Sequence, residues 1–275
     1  MDRPAQSDSP LKRNICPRTS RRITFAEAET IQSKGKGPWI LTYARIAGVI
    51  FLVAVVAGSI GEAIVPNMLV VPGDAATTAH NITTNDLLFR LGFVAYIVEA
   101  LTDVALTFFL YVLLRPVRGN LAFSSVLFRL MATATFAFGE IFYFAQTLIL
   151  RGDAYLNTFS TQQLQTLALL SFNVYGASGS LSTIFYGTGS IILGYLIWRS
   201  GYLPRIIGAL WVIGGFGFVI ATLVFFIAPA YASFLLMLPM IIALVALGLW
   251  LLVKGVDLAK WKEHEAFAPH GSLPN

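Results

Sequence analysis

The chain has 275 residues, of which 56% are hydrophobic and only 12% charged, with a formal net charge of +5 and a mean hydropathy of +0.72. Soluble domains carry roughly 25% charged residues, so this composition excludes a soluble enzyme or binding module and defines a membrane chain. The positive charge does not mark a nucleic-acid binder, because the basic residues lie in tails and short loops between apolar stretches. The single cysteine, Cys16, excludes an internal disulfide, a CxxC metal pair and an iron–sulfur site.

In chain order, residues 1–38 are polar, basic and interrupted by Pro4, Pro10 and Pro17, and read as a disordered cytoplasmic tail able to touch anionic lipid. No apolar run of signal-peptide length precedes the first span, which is therefore expected to be a retained anchor. Six apolar spans follow at residues 41–63, 91–114, 126–150, 181–198, 204–227 and 234–253, each near the roughly 20 residues that cross a ~30 Å hydrocarbon core. The loop over 64–90 is expected to hold a short helix capped by Asp74. The stretch from Ser160 to Trp198 is too long for one crossing, and its first part, TQQLQTLALLSF behind a Ser160 cap, reads as a separate amphipathic helix lying on or outside the membrane.

The expected fold is thus all-α, a polytopic bundle of six transmembrane helices over residues 39–256, followed by a cytoplasmic tail at 257–275. Sorting the basic residues supports this layout. Arg115, Arg118, Arg199, Arg205, Lys254, Lys260 and Lys262 fall on the side of the N-terminal tail, and only Arg90 and Arg151 on the other. Cytoplasmic loops are enriched in Lys and Arg, so both termini are expected inside, in the inner membrane of a bacterium. Trp39, Trp198, Trp250 and Trp261 fall near the same interface, whereas Trp211 lies deeper.

Chemistry concentrates on the second and third spans. Glu99 and Asp103 stand four residues apart on one helix face, and Tyr96 and Thr107 extend that stripe. On the third span Arg129, Thr133, Phe136, Glu140, Tyr143 and Thr147 form a second polar stripe. A charged side chain near the bilayer centre costs roughly 2.5–3.5 kcal/mol on insertion scales and is offset by a partner, a proton or a water-filled cavity. Glu99, Asp103 and Glu140 are therefore the candidate proton- or cation-binding groups. Arg129 is their counter-charge on the cytoplasmic side, and Tyr96, Thr107, Thr133 and Tyr143 give polar support. The competing reading is that these groups bond across helices as structural glue. Glu62 and Arg90, at the far ends of the first two spans, are expected to pair near the outer interface.

The fourth span carries a small-residue stripe of Gly176, Ser180, Thr183, Gly187, Ser190 and Gly194, which lets helices pack closely. The adjacent GASG stretch at 176–179 resembles the nucleophile motif of rhomboid intramembrane proteases. That mechanism is rejected, because Ser178 needs a membrane histidine as base and His80, His264 and His270 all lie outside the spans. No catalytic residue, metal site or cofactor motif is identified.

Two functional readings follow. One is a proton- or cation-coupled carrier or channel for a small solute. The other is a non-transporting sensor, regulator or assembly partner that binds another protein through the small-residue face of the fourth helix and the basic tail; a homo-oligomer is a further partner expected. An enzyme acting on a lipid is a third possibility that no motif favours. The partners expected are the lipid bilayer, a proton, cation or small solute, and a protein, with no nucleic acid.

Several of these stretches are similar to the bacterial integral membrane family catalogued as domain of unknown function 4386. They are YARIAGVIFL at 43–52, the series from LVVPGDAATTAHNI through LFRLGF to DVALTFFLYVLLRPV at 69–117, QLQTLALL at 163–170 and LGYLIWRSGYLPRIIGALWVIGG at 193–215. Arg45, Asp74, Arg90, Asp103, Arg129, Arg199 and Pro204 occupy its motif positions. The resemblance, over roughly residues 40–250, implies a small bacterial polytopic inner-membrane protein and supplies no activity or catalytic residue.

Overall fold

A computed structural model describes residues 38–151, 153 and 156–267. The expected N-terminal tail, Cys16 included, lies outside the described residues, apart from the first residue of the first helix. We name the helices α1 (Pro38–Gly58), α2 (Val65–Leu69), α3 (Ala75–Thr84), α4 (Asp86–Leu114), α5 (Gly119–Leu150), α6 (Thr161–Ser200), α7 (Arg205–Ile227), α8 (Leu238–Val253) and α9 (Leu258–Phe267). No strand occurs among the described residues. Six helices among them are long and apolar enough to cross a membrane: α1 running into α2, then α4, α5, α6, α7, and α8 with the short turn before it.

The spanning helices pack as a closed ring in sequence order. α1 touches α4, α4 touches α5, and so on to α8, which returns to α1. Short connections between antiparallel neighbours produce this order. One end of the ring gathers the 115–118 and 201–204 turns and α9, and it carries Arg115, Arg118, Arg199, Arg205, Lys254 and Lys260; we call it the basic end. Its core is built on Phe51, Trp211 and Trp261. A second core at the loop end joins Val65, Ile82 and Phe89 to Tyr96, Tyr143 and Tyr175. The apolar side chains left outside, among them Val104, Phe138 and Ile220, are those a bilayer covers.

Four features differ from or extend the sequence reading. First, α1 does not end at the loop. It passes through a π-helical turn, Ser59–Ile64, in which the Val65 N–H bonds to the Ile60 carbonyl five residues back, and then resumes as α2. Second, α6 is one helix of 40 residues, about 60 Å long, so the amphipathic segment after Ser160 is its first part and not a separate surface helix. Ser160 does cap it, in a reciprocal capping box with Gln163. Nothing downstream breaks it: the segment has no proline, and side-chain bonds hold it along α5, from the Ser171 hydroxyl to the Phe142 carbonyl at 2.7 Å and from the Ser182 hydroxyl to the Ala132 carbonyl at 2.9 Å.

Third, the segment from 258 to 267, expected in a tail, is α9, docked on the basic end. Trp261 is fully buried and donates its indole N–H to the Leu113 carbonyl at 3.1 Å, beside the Tyr202 hydroxyl that donates to the same oxygen at 2.7 Å. These bonds satisfy a carbonyl in the last turn of α4 that its own helix leaves open. The deep Trp211 is likewise partnered, by the Ala243 carbonyl at 3.2 Å.

Fourth, the loop-end helix α3 is tied down as well as capped. Asp74 accepts from the Thr77 N–H at 2.9 Å and the Thr77 hydroxyl at 2.7 Å, after a turn through Gly73 at φ +80°. The Thr78 hydroxyl and the Asn81 amide bond back to Val71 and Leu69. The Thr77 N–H, with its hydroxyl, holds the Asp74 carboxyl below the ordinary aspartate range. A lowered folded pKa stabilises above the unfolded value near 3.9 and loses that stabilisation as pH falls through the folded value. Asp74→Ala is therefore expected to lower the melting temperature at neutral pH, by a margin that shrinks as the pH falls through the folded value. Melts followed by circular dichroism from neutral pH into acid check it, and a difference that does not shrink would assign the loss to something other than the charged cap.

Candidate functional site

The polar stripes of α4 and α5 face each other across the ring, and the structure divides the expected site in two. Nearer the basic end, Arg129 is almost wholly buried, at 1% exposure. Its Nη2 donates to Asp103 Oδ1, its Nε donates to the Thr107 hydroxyl at 3.1 Å, and its guanidinium carbon lies 4.7 Å from the centre of the Tyr186 ring on α6. The Thr133 hydroxyl donates to Asp103 Oδ2 at 2.5 Å. Asp103 therefore has a counter-charge and a second donor, the arrangement that makes a buried ion pair tolerable.

Toward the loop end the balance reverses. Glu62 from the π turn, Glu99 from α4 and Glu140 from α5 lie within electrostatic reach of one another, and the charges that reach Glu99 are all acidic: Glu62, Asp103 and Glu140. Glu140 is 4% exposed, and its Oε1, like Glu99 Oε2, makes no hydrogen bond within the protein. The Glu99 carboxyl is seated against Gly58, where a Cβ would stand 2.5 Å from Oε1. Glu62 lies at the exposed rim. Tyr96, Tyr143 and Tyr175 wall the cluster, their rings packed edge-on with centres 5.1–5.6 Å apart. The Tyr96 and Tyr175 hydroxyls bond each other, and the Tyr143 hydroxyl donates to the Phe89 carbonyl at 3.3 Å. Among the described residues no three acidic, histidine or cysteine side chains are grouped so as to hold a metal ion.

The expected Glu62–Arg90 pair is not formed. Arg90 bonds Asp86, one turn back on its own helix, at 2.7 Å, while the π turn carries Glu62 toward Glu99. Sequence reasoning missed Gly58, Tyr175 and Tyr186. Tyr175 and Tyr186 lie on a helix read only for its small residues, and nothing in a single sequence ties Gly58 to a carboxylate on another helix.

The small-residue face of α6 is used inside the chain. A Cβ on Gly187 or Gly194 would stand 2.7 Å from the carbonyl oxygen of Gly215 or Gly208 on α7, and the Thr183 and Thr222 hydroxyls bond at 2.5 Å. Ser190 is buried, the Ser180 carbonyl accepts from the Thr222 hydroxyl, and only Gly176 is open. From Thr183 to Gly194 this face is therefore occupied by α7 within the chain. The serine of the GASG stretch, Ser178, donates to the Tyr175 carbonyl at 3.0 Å and packs so closely on Gly139 that a Cβ there would collide with its hydroxyl.

Fold and site together define a polytopic membrane protein with an acidic cluster between its spanning helices. It belongs to the family described as Domain of unknown function (DUF4386), whose sequence profile matches residues 46–255. The chain is also similar to an uncharacterized protein of the archaeon Archaeoglobus fulgidus, with 30% identity over 161 residues that cover 58% of this chain and 80% of that one. No solved structure matches it.

Proposed function

We propose that this protein moves protons or small cations across the membrane, alone or coupled to a solute, with Glu62, Glu99 and Glu140 as the site that takes up and releases them. The observation that carries this reading is that Glu99 on α4 and Glu140 on α5 each hold a buried carboxylate oxygen with no hydrogen bond within the protein, with Glu62 of the π turn within electrostatic reach of both. Each is costly in lipid as a bare anion, so a proton or a cation completes the charge balance. Asp103, expected among these groups, has Arg129 instead and joins the pathway rather than the store. With the basic end cytoplasmic, as the distribution of Lys and Arg favours, the cluster lies toward the outer leaflet of a cytoplasmic membrane.

The test is flux into phospholipid vesicles that contain the purified protein and an internal pH dye or a cation-sensitive dye. Glu99→Gln and Glu140→Gln are each expected to reduce flux at least tenfold while melting as well as wild type. Undiminished flux in the double variant would remove the cluster from any transport path.

A further inference from the structure

Beside the Asp103–Arg129 pair, on the side of the basic end, the seam between α4, α5 and α6 holds a cavity of about 10 Å³, the size that admits one water molecule. Its lining includes Thr107, Tyr111, Ala122, Ser125, Val126 and Arg129. Arg129 Nη1 makes no hydrogen bond within the protein although the side chain is 99% buried. Ser125 donates its own proton to the Gly189 carbonyl at 3.0 Å, so its oxygen still accepts. A water there would have the polar side chains of Arg129, Ser125, Thr107 and Tyr111 in its lining, from which the two to four polar contacts that buried water requires can be drawn. On the other side of the pair, Glu99 stands one helical turn from Asp103 on the same face of α4.

We propose that the ion this protein passes is the proton, reaching the acidic cluster from the basic end through one water in this cavity and then Asp103, a relay of bond exchanges that a metal cation cannot follow. The proposal rests on the transport reading of the cluster and names its substrate and one of its two entrances. In the first step a hydronium O–H bond breaks as an O–H bond forms on the Asp103 carboxylate, leaving a neutral acid, a water molecule and Arg129 still protonated without its counter-charge. In the second, the Asp103 O–H breaks, an O–H forms on Glu99, and the Asp103–Arg129 pair closes again. A metal cation has no such relay: it would have to displace the water and pass bodily through a cavity of about 10 Å³ beside a buried guanidinium. The titratable groups that face the pair are Glu99 and Tyr111 from α4 and Tyr186 from α6.

The experiment fills the cavity without removing a polar group. Ala122→Val and, more gently, Val126→Ile are placed in phosphatidylcholine–phosphatidylglycerol vesicles beside wild type, Glu99→Gln and Glu140→Gln, with thermal melts to verify folding. Proton flux is read from an internal pH dye under an imposed gradient, with sodium, potassium or choline as the external cation, and sodium and potassium uptake are read in parallel. The expected result is proton flux in wild type that is indifferent to the cation present, no sodium or potassium uptake, and at least a tenfold loss in a folded cavity-filling variant. Proton flux that survives in folded Ala122→Val and Val126→Ile but stops in the glutamate variants would overturn the route and leave the cluster reading intact. Sodium or potassium uptake by wild type would overturn the selectivity. A wild type that passes no protons, with glutamate variants indistinguishable from it, would overturn the cluster reading and this proposal with it.

Discussion

Arg129→Leu is expected to destabilise the folded protein by about 3–5 kcal/mol, the cost of leaving a buried charge without its partner. Asp103 is only 15% exposed, and without Arg129 its charge has no counter-ion and its one remaining side-chain donor is the Thr133 hydroxyl. Asp103→Asn alone is expected to be damaging for the converse reason, since Arg129 would keep a full charge at 1% exposure. The paired change Asp103→Asn with Arg129→Met is expected to recover much of the loss, because neutralising both partners together removes the desolvation penalty that either single change exposes. Unfolding in detergent micelles, followed by tryptophan fluorescence, measures all four chains. A loss within about 1 kcal/mol for Arg129→Leu, the worth of an exposed pair, would mean that this region is hydrated far more than the burial of Arg129 indicates.

The second large effect is expected where α6 crosses α7. Gly194 and Gly208 meet backbone to backbone: a Cβ on Gly194 would lie 2.7 Å from the Gly208 carbonyl oxygen and 2.8 Å from the Val212 nitrogen, and one on Gly208 would lie 2.7 Å from the Trp198 nitrogen. Overpacking costs about 1–3 kcal/mol where side chains can shift. Here the neighbours are main chain, so Gly194→Val is expected at or above the top of that range, with the two helices forced apart and the Thr183–Thr222 bond lost. Gly176→Ala on the same helix is the control. Nothing lies within 4 Å of its Cβ, and removing a glycine from an exposed helix interior is expected to add about 0.5–1 kcal/mol. Equal melting of Gly194→Val and wild type would show that the close crossing is not maintained in solution.

Much of the fold was legible because hydrocarbon thickness and helix rise leave few choices for a chain this apolar. The six crossings, the Asp74 and Ser160 caps and the two polar stripes all follow from local pattern. What was not legible depends on register between helices. Spacing along α5 puts Arg129 far from Glu140 but says nothing about which residue of α4 it meets, and Asp103 is the answer only once the two helices are packed. Glu62 is expected to meet Arg90 because both stand at the far ends of their spans, yet Arg90 bonds Asp86 on its own helix instead. The π turn has no sequence signature, and it redirects the Glu62 side chain toward Glu99. The length of α6 was misjudged because a bilayer-sized crossing was taken as the limit of a helix, although a helix ends only where its sequence or its packing stops it.

A π turn is an α-helix with one residue too many, and that gives the third carboxylate an uncommon kind of inheritance. Deleting one of residues 59–61, ahead of Glu62 in the π segment Ser59–Ile64, would let α1 and α2 join in regular α geometry and turn Glu62 by about 100° relative to the helix that precedes it, away from Glu99. Substitutions elsewhere in the cluster alter it one side chain at a time. Here a single codon lost or gained decides whether the site has two acidic walls or three, so among descendants of this chain the length of the first helix, more than any residue's identity, would tell the two forms apart.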